Sequence, residues 1–152
     1  MSSKVQHVRI LIVDDFEPWL RFVKAALYEE PSMQIVGTAP DGLEAVAQAQ
    51  ILRPDLILMD ISLPTLNGIE ATRQIVGKYP GIAVVILSMH LDESYVMRAL
   101  KAGAKAYLLK DSAETDLINA VRSVSVGKSF FSPAVSKLLL EDYVRQLRQK
   151  DE

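Results

Sequence analysis

The chain contains no cysteine, which excludes disulfide frameworks, thiolate nucleophiles and cysteine-based zinc sites. It has only two histidines, His7 and His90, and they are isolated from one another, so no histidine pair has metal-ligand spacing. Both absences suit a reducing, cytoplasmic setting. No apolar run approaches the ~18 residues of a membrane span, and the N-terminus lacks the apolar stretch of a signal peptide, so no membrane association is expected. Excess charge is also scarce. The formal net charge is −2, which argues against a domain that holds nucleic acid through a basic surface. There is no internal repeat and no low-complexity linker. What is present has a globular balance, 49% apolar and 24% charged over 152 residues. One compact domain is predicted, with a core that stands without disulfides or structural metal.

Short apolar runs rich in β-branched residues alternate with longer amphipathic stretches, the pattern of βα units around a parallel sheet. Strands are predicted at Val8–Val13, Met33–Thr38, Asp55–Met59, Ile82–Leu87 and Lys105–Leu109. Helix one carries Pro18 in its first turn, where a missing N–H costs nothing, and repeats apolar residues at Trp19, Phe22, Val23, Ala26 and Leu27. Helix two begins at Asp41 with Glu44 three residues on, a capping-box spacing, and turns Ala45, Ala49 and Leu52 inward. Helix three starts near Asn67 and Gly68, and helix four near Asp92. Helix five starts near Ser112, with Leu117, Val121 and Val124 on one side. Alternation with right-handed crossovers predicts a flavodoxin-like three-layer α/β fold, its parallel sheet in the order 2-1-3-4-5. Beyond Gly127, Ser132 is a candidate N-cap and Pro133 a first helical residue. The stripe Val135, Leu138, Leu139, Tyr143 and Leu147 predicts one extra C-terminal helix.

In such a sheet ligands bind beyond the carboxyl ends of the strands. Strand one ends in Asp14 and Asp15, strand three in Asp60, strand four in Ser88 and strand five in Lys110. Carboxylates held a few ångströms apart repel by an energy on the order of several kcal/mol, so a cation must compensate or some must take up protons. The donors are all oxygen, without nitrogen or sulfur, which selects a hard divalent ion, Mg2+. Lys110 adds a positive charge for the oxygens of an incoming phosphoryl group, and Ser88 a neutral donor. Asp60 is then the nucleophile. Singly, each residue would pass for a helix cap, a turn serine or a surface lysine; jointly the strand ends match one electrostatic scheme.

These residues lie within Leu11-Ile12-Val13-Asp14-Asp15, Leu58-Met59-Asp60-Ile61-Ser62-Leu63-Pro64 with Gly68, Val85-Ile86-Leu87-Ser88, and Gly103-Ala104-Lys105-Ala106-Tyr107-Leu108-Leu109-Lys110. Over about residues 8–127 the chain thereby resembles response-regulator receiver domains. The resemblance implies that Asp14 and Asp15 hold the metal, that Asp60 accepts the phosphoryl group from a histidine kinase, and that Ser62 offers its backbone carbonyl to the metal. It further implies that Ser88 and Lys110 read the phosphorylated state, and that Tyr107 is the aromatic whose rotation follows Ser88. Leu87-Ser88-Met89-His90, the Lys110-Asp111 pair and Phe130-Phe131-Ser132-Pro133 resemble NarL/FixJ (LuxR-type) regulators, in which a helix-turn-helix DNA-binding domain follows the receiver. Residues 128–152 carry one helical pattern and mixed charge. A linker helix is therefore expected there, with no DNA-binding domain and no direct nucleic acid binding in this chain.

Two positions depart from the common receiver pattern. Asp111 stands where many receivers have proline, and a trans peptide is expected because a non-proline cis bond costs about 3–4 kcal/mol. Met89 replaces a small residue, and it either packs at the strand end or gates the phosphoryl site. Phe16 and Leu20, four apart and off the assigned core stripe of helix one, form either an apolar docking contact for the kinase or simple loop packing. A haloacid-dehalogenase-type phosphatase is the enzymatic rival, but Ser62 stands where that family has its second aspartate. A flavin module fails because Asp14-Asp15-Phe16-Glu17 would repel phosphate. No chemistry on external substrates is expected, only the domain's own phosphorylation and dephosphorylation. Transcriptional control through a helix-turn-helix domain and pairing on phosphorylation are the expected outputs, with a stand-alone receiver acting through protein contacts as the alternative.

Overall fold

A computed structural model describes residues 7–63 and 66–150. Pro64, Thr65 and the chain ends lie outside the described residues. Strands β1 (Val8–Val13), β2 (Met33–Ala39), β3 (Leu56–Asp60), β4 (Ala83–Ser88) and β5 (Ala106–Leu109) alternate with helices α1 (Glu17–Tyr28), α2 (Gly42–Leu52), α3 (Gly68–Lys78), α4 (Glu93–Lys101) and α5 (Ala113–Ser125). They form the expected parallel sheet in the order β2-β1-β3-β4-β5. A short strand that the sequence reading missed, β6 (Phe130–Phe131), extends its edge. Helix α6 (Pro133–Lys150) follows. Among the described residues no helix is long and apolar enough to cross a membrane.

Side chains alternate across a strand, so each strand feeds two cores. Leu11, Val13, Ile57, Met59, Val84, Ile86 and Tyr107 pack with Ala45 and Ala49 of α2, Ala71 and Ile75 of α3, and Val96 and Ala99 of α4. Ile10, Ile12, Leu56, Leu58, Val85, Leu87 and Leu108 pack on the other face with α1 and α5, through Leu20, Val23, Leu27, Leu117 and Val121. This double burial explains why the inner strands β3, β4 and β5 read as near-continuous apolar runs, whereas edge strand β2 carries Gln34 and Thr38.

Helix α1 keeps most of its predicted face: Val23 and Leu27 are buried, and Trp19 and Ala26 pack against the same core. Leu20, at 9% exposure, joins Val23 and Leu27 in the core, whereas Phe22 is on the exposed side at 36%. The core face is therefore the expected stripe with Leu20 added and Phe22 left at its exposed margin. The Phe16–Leu20 docking pair is therefore corrected: Phe16 is 60% exposed, but Leu20 is inside. At α2, Asp41 Oδ1 accepts from the Glu44 N–H at 2.8 Å, while the Glu44 carboxylate turns to Gln48 Nε2 at 2.9 Å. One half of the expected capping box is thus formed. Asn67 and Asp92 cap α3 and α4 as expected. Ser132 is buried, but its hydroxyl accepts from the Leu109 N–H at 3.4 Å and donates to Asp116 Oδ2 at 3.2 Å. It joins α6 to β5 and α5 instead of acting as a simple side-chain cap. Of the expected α6 stripe, Val135 is buried and Leu138 and Leu139 lean on the core, while Tyr143 and Leu147 are exposed.

Gly68 starts α3 so close to β3 that a Cβ there would lie 2.0 Å from the Asp60 carbonyl oxygen, a backbone atom that cannot swing away. We expect Gly68→Ala to lower stability by about 1–3 kcal/mol through overpacking. Gly77→Ala, in the same helix with nothing within 4 Å of the added Cβ, should raise it by roughly 0.5–1 kcal/mol. Denaturant midpoints of the two variants check this.

Candidate phosphoacceptor and metal site

The carboxyl ends of β1, β3 and β5 deliver Asp14, Asp60 and Lys110 to one edge, and Asp15 follows on the loop into α1. One carboxylate oxygen from each of Asp14, Asp15 and Asp60 lies within 4.8 Å of the others. Asp14 and Asp60 are buried and Asp15 is exposed. Asp60 and Ser88 are the last residues of their strands, one position earlier than expected relative to the strand ends. The sheet's hydrogen bonds therefore hold their backbones directly.

Lys110 bridges the acids. Its Nζ lies 2.8 Å from Asp14 Oδ2 and 3.7 Å from Asp60 Oδ1. Asp14 Oδ1 also accepts from the Phe16 N–H at 2.9 Å, and Asp60 Oδ1 from the Ser62 N–H at 3.3 Å. Burial pushes the Asp60 carboxyl above its ordinary 3.8; the Lys110 ammonium opposes this, the Asp14 carboxylate adds to it, the Ser62 N–H lowers it, and Asp15 raises it again. An all-oxygen, net-negative cluster of this kind fits a hard divalent cation such as magnesium, and would hold it through Asp14, Asp15 and Asp60. The Lys110–Asp111 peptide is trans, as expected.

Ser88 reaches the same edge, but its hydroxyl is engaged by the following loop, donating to the His90 carbonyl at 3.2 Å and accepting from the His90 N–H at 3.0 Å. Tyr107 is fully buried, and its hydroxyl donates to the same His90 carbonyl at 3.1 Å. Burial raises the pKa of that hydroxyl, so it stays a protonated donor. Met89 is 72% exposed and lies in a shallow cleft with His90, Leu91, Asp92 and Tyr95. Exposure of that degree removes the strand-end packing reading of Met89. The sequence reading missed one neighbour: Trp19, assigned only to the core stripe, places its ring 4.9 Å from Lys110 Nζ. No spacing rule links a residue in the first turn of α1 to the end of β5.

Fold and edge together define a doubly wound α/β domain with an acidic centre at the carboxyl ends of its strands. The profile of the response regulator receiver domain matches residues 10–122, and the chain belongs to that family. It is 42% identical over 145 residues to the transcriptional regulatory protein DegU of Brevibacillus brevis, a match covering 95% of this chain and 61% of DegU. It is 39% identical over 128 residues to the response regulator protein VraR of Staphylococcus aureus, covering 84% of this chain and 61% of VraR. The chain thus spans less than two thirds of the length of these curated relatives. The crystal structure of a LuxR-family two-component response regulator from Aurantimonas superposes with a TM-score of 0.87 at 29% identity, covering 91% of this chain and 99% of that one.

The raised Asp60 pKa carries a stability consequence. Between the ordinary carboxylate value and the higher folded value the folded state binds more protons than the unfolded state, so stability falls as pH rises through that window. In chelator, Asp60→Asn should therefore be more stable than wild type at pH 7. The difference should shrink as pH falls toward 3.8, where Asp60 takes up its proton in both states. Urea midpoints of both proteins across pH 4–7 read this directly.

Proposed function

We propose that this domain accepts a phosphoryl group on Asp60 from a histidine kinase, with magnesium held by Asp14, Asp15, Asp60 and the Ser62 carbonyl. The carrying observation is the cluster of carboxylates within 4.8 Å of one another, with an ammonium 3.7 Å from the proposed nucleophile. An Asp60 carboxylate oxygen forms the bond to phosphorus as the phosphorus–nitrogen bond of the kinase's phosphohistidine breaks, and the electron pair returns to the imidazole nitrogen. When bound, the metal neutralises charge on the transferred oxygens. Lys110 adds a positive point charge for those oxygens, its Nζ 3.7 Å from Asp60 Oδ1. Exposed Phe16 offers the kinase an apolar contact beside the acids, and Met89 gates access to them.

The group on Asp60 brings nearly two negative charges, which attract Lys110 and the Ser88 hydroxyl. Drawing Ser88 inward removes its bond to the His90 carbonyl, the same carbonyl on which Tyr107 rests. The loop before α4 and the Tyr107 ring can then rearrange together, a two-state element biased by local charge. The output we favour is control of transcription, supported by the relatives' names, through a helix-turn-helix domain outside this chain. A receiver that signals by protein contacts alone is the alternative. The domain acts on no external substrate, and a cytoplasmic location suits its partner and its lack of cysteine.

Incubation with acetyl phosphate and magnesium should place one phosphoryl group on the peptide carrying Asp60, read by mass, and chelator should abolish it. Asp15→Asn should slow labelling roughly tenfold or more; labelling at the wild-type rate would contradict the metal assignment. A stable phosphoryl mimic with magnesium should also raise self-association, and Ser88→Ala should weaken that response. Sedimentation profiles unchanged by the mimic at tens of micromolar would remove pairing from the proposed output.

A further inference from the structure

The Lys110 ammonium has a third neighbour besides Asp14 and Asp60. Its side chain is 12% exposed, and its Nζ lies over the Trp19 ring, 4.9 Å from the centroid. The ring is half-buried at the rim of the core formed with α1 and α5, and leans on Phe22 with centroids 5.1 Å apart and planes tilted by 34°. Helix α1 carries the indole in its first turn, and the lysine follows the last residue of β5. The ammonium thus has two carboxylates and one aromatic ring as neighbours.

We propose that Trp19 is a positioning residue for Lys110, holding the ammonium in reach of Asp60 whichever acid carries its ion pair. This rests on Asp60 being the phosphoacceptor. A carboxylate attracts a cation strongly but competes for it, and here the shortest contact is to Asp14, a proposed metal ligand. Once Asp14 is drawn to a cation, Lys110 loses part of that attraction. The indole face attracts the ammonium through its quadrupole, more strongly than the ring of phenylalanine, and offers no lone pair to fix it at one point. The ammonium can therefore move across the ring toward oxygens on Asp60 without leaving a favourable surface, while the ring keeps water from that side. Trp19 touches no reacting atom and acts only through Lys110.

Trp19 is the single tryptophan of the chain, so its emission reports on Lys110 without phosphorylation. Removing the ammonium in Lys110→Ala should change the emission of the full chain in chelator, and adding magnesium to wild type should change it as well. Spectra identical in all three states would overturn the proposal whether or not the protein accepts phosphate. In acetyl phosphate labelling, Trp19→Leu should slow the rate roughly fivefold, the size of a partly desolvated cation–π contact, and Trp19→Phe should stay within about twofold of wild type. On a Lys110→Ala background Trp19→Leu should have no further effect, because the partner is gone. Equal slowing in both backgrounds, or none in either, would also overturn it. Failure of wild type to label at all would instead count against Asp60 as acceptor, leaving the emission comparison to decide the role of Trp19.

Discussion

Mutual repulsion of the carboxylates at the end of β1 and β3 is the constraint around which the rest of this edge is arranged. Asp14 and Asp60 are buried, and a charged carboxylate taken out of water needs compensation by a partner. Lys110 supplies part of it, at 2.8 Å from one and 3.7 Å from the other. Backbone N–H groups of Phe16 and Ser62 supply more. Burial nevertheless holds the Asp60 carboxyl above its ordinary value, with the Lys110 ammonium opposing it and the Asp14 carboxylate adding to it. A site with charge left over is suited to receive a cation, and its chemistry is thus stored as a deficit in the folded protein.

The same edge is wired into the C-terminal helix by hydrogen bonds of the backbone. Leu109, next to Lys110, donates its N–H to Ser132, and the Ser132 N–H in turn donates to the Tyr107 carbonyl at 3.3 Å. Ser132 opens α6, whose far half is tied to α4 by Arg145 and Glu93 at 2.9 Å. Helix α6 therefore meets both the strand that precedes Lys110 and the helix that follows the Ser88 loop. A shift at either place alters the support of α6, because packed elements rearrange between discrete positions instead of deforming smoothly.

Legibility varied with the origin of each signal. The strands and caps follow from local chemistry, and Asp41, Asn67 and Asp92 cap where their spacing indicated. Faces were harder. Apolar residues surround much of α1, so periodicity alone could not separate Leu20, which is inside, from Phe22, which is not. Strand β6 was missed because two residues carry no period, and Phe130 and Phe131 become a strand only by pairing with β5. Glu44 satisfied a sequence rule yet turned to Gln48, one turn further along the same helix face.

The sequence by itself determined the βα alternation, the sheet order and the residue types at the strand ends. These depend on periods of two and 3.6, turn chemistry and the handedness of crossovers, all of which act over a few residues or on topology. Tertiary structure alone decided which partners those residues take: the Lys110 ammonium on Asp14 and Trp19, the Ser88 and Tyr107 hydroxyls on one carbonyl of His90, the Ser132 hydroxyl between β5 and α5. Apart from Ser88 on His90, two residues on, these contacts join positions far apart in the chain, and their distances are set by the packing of whole helices on the sheet. A shift of an ångström in that packing would redirect each of them without changing any local sequence signal.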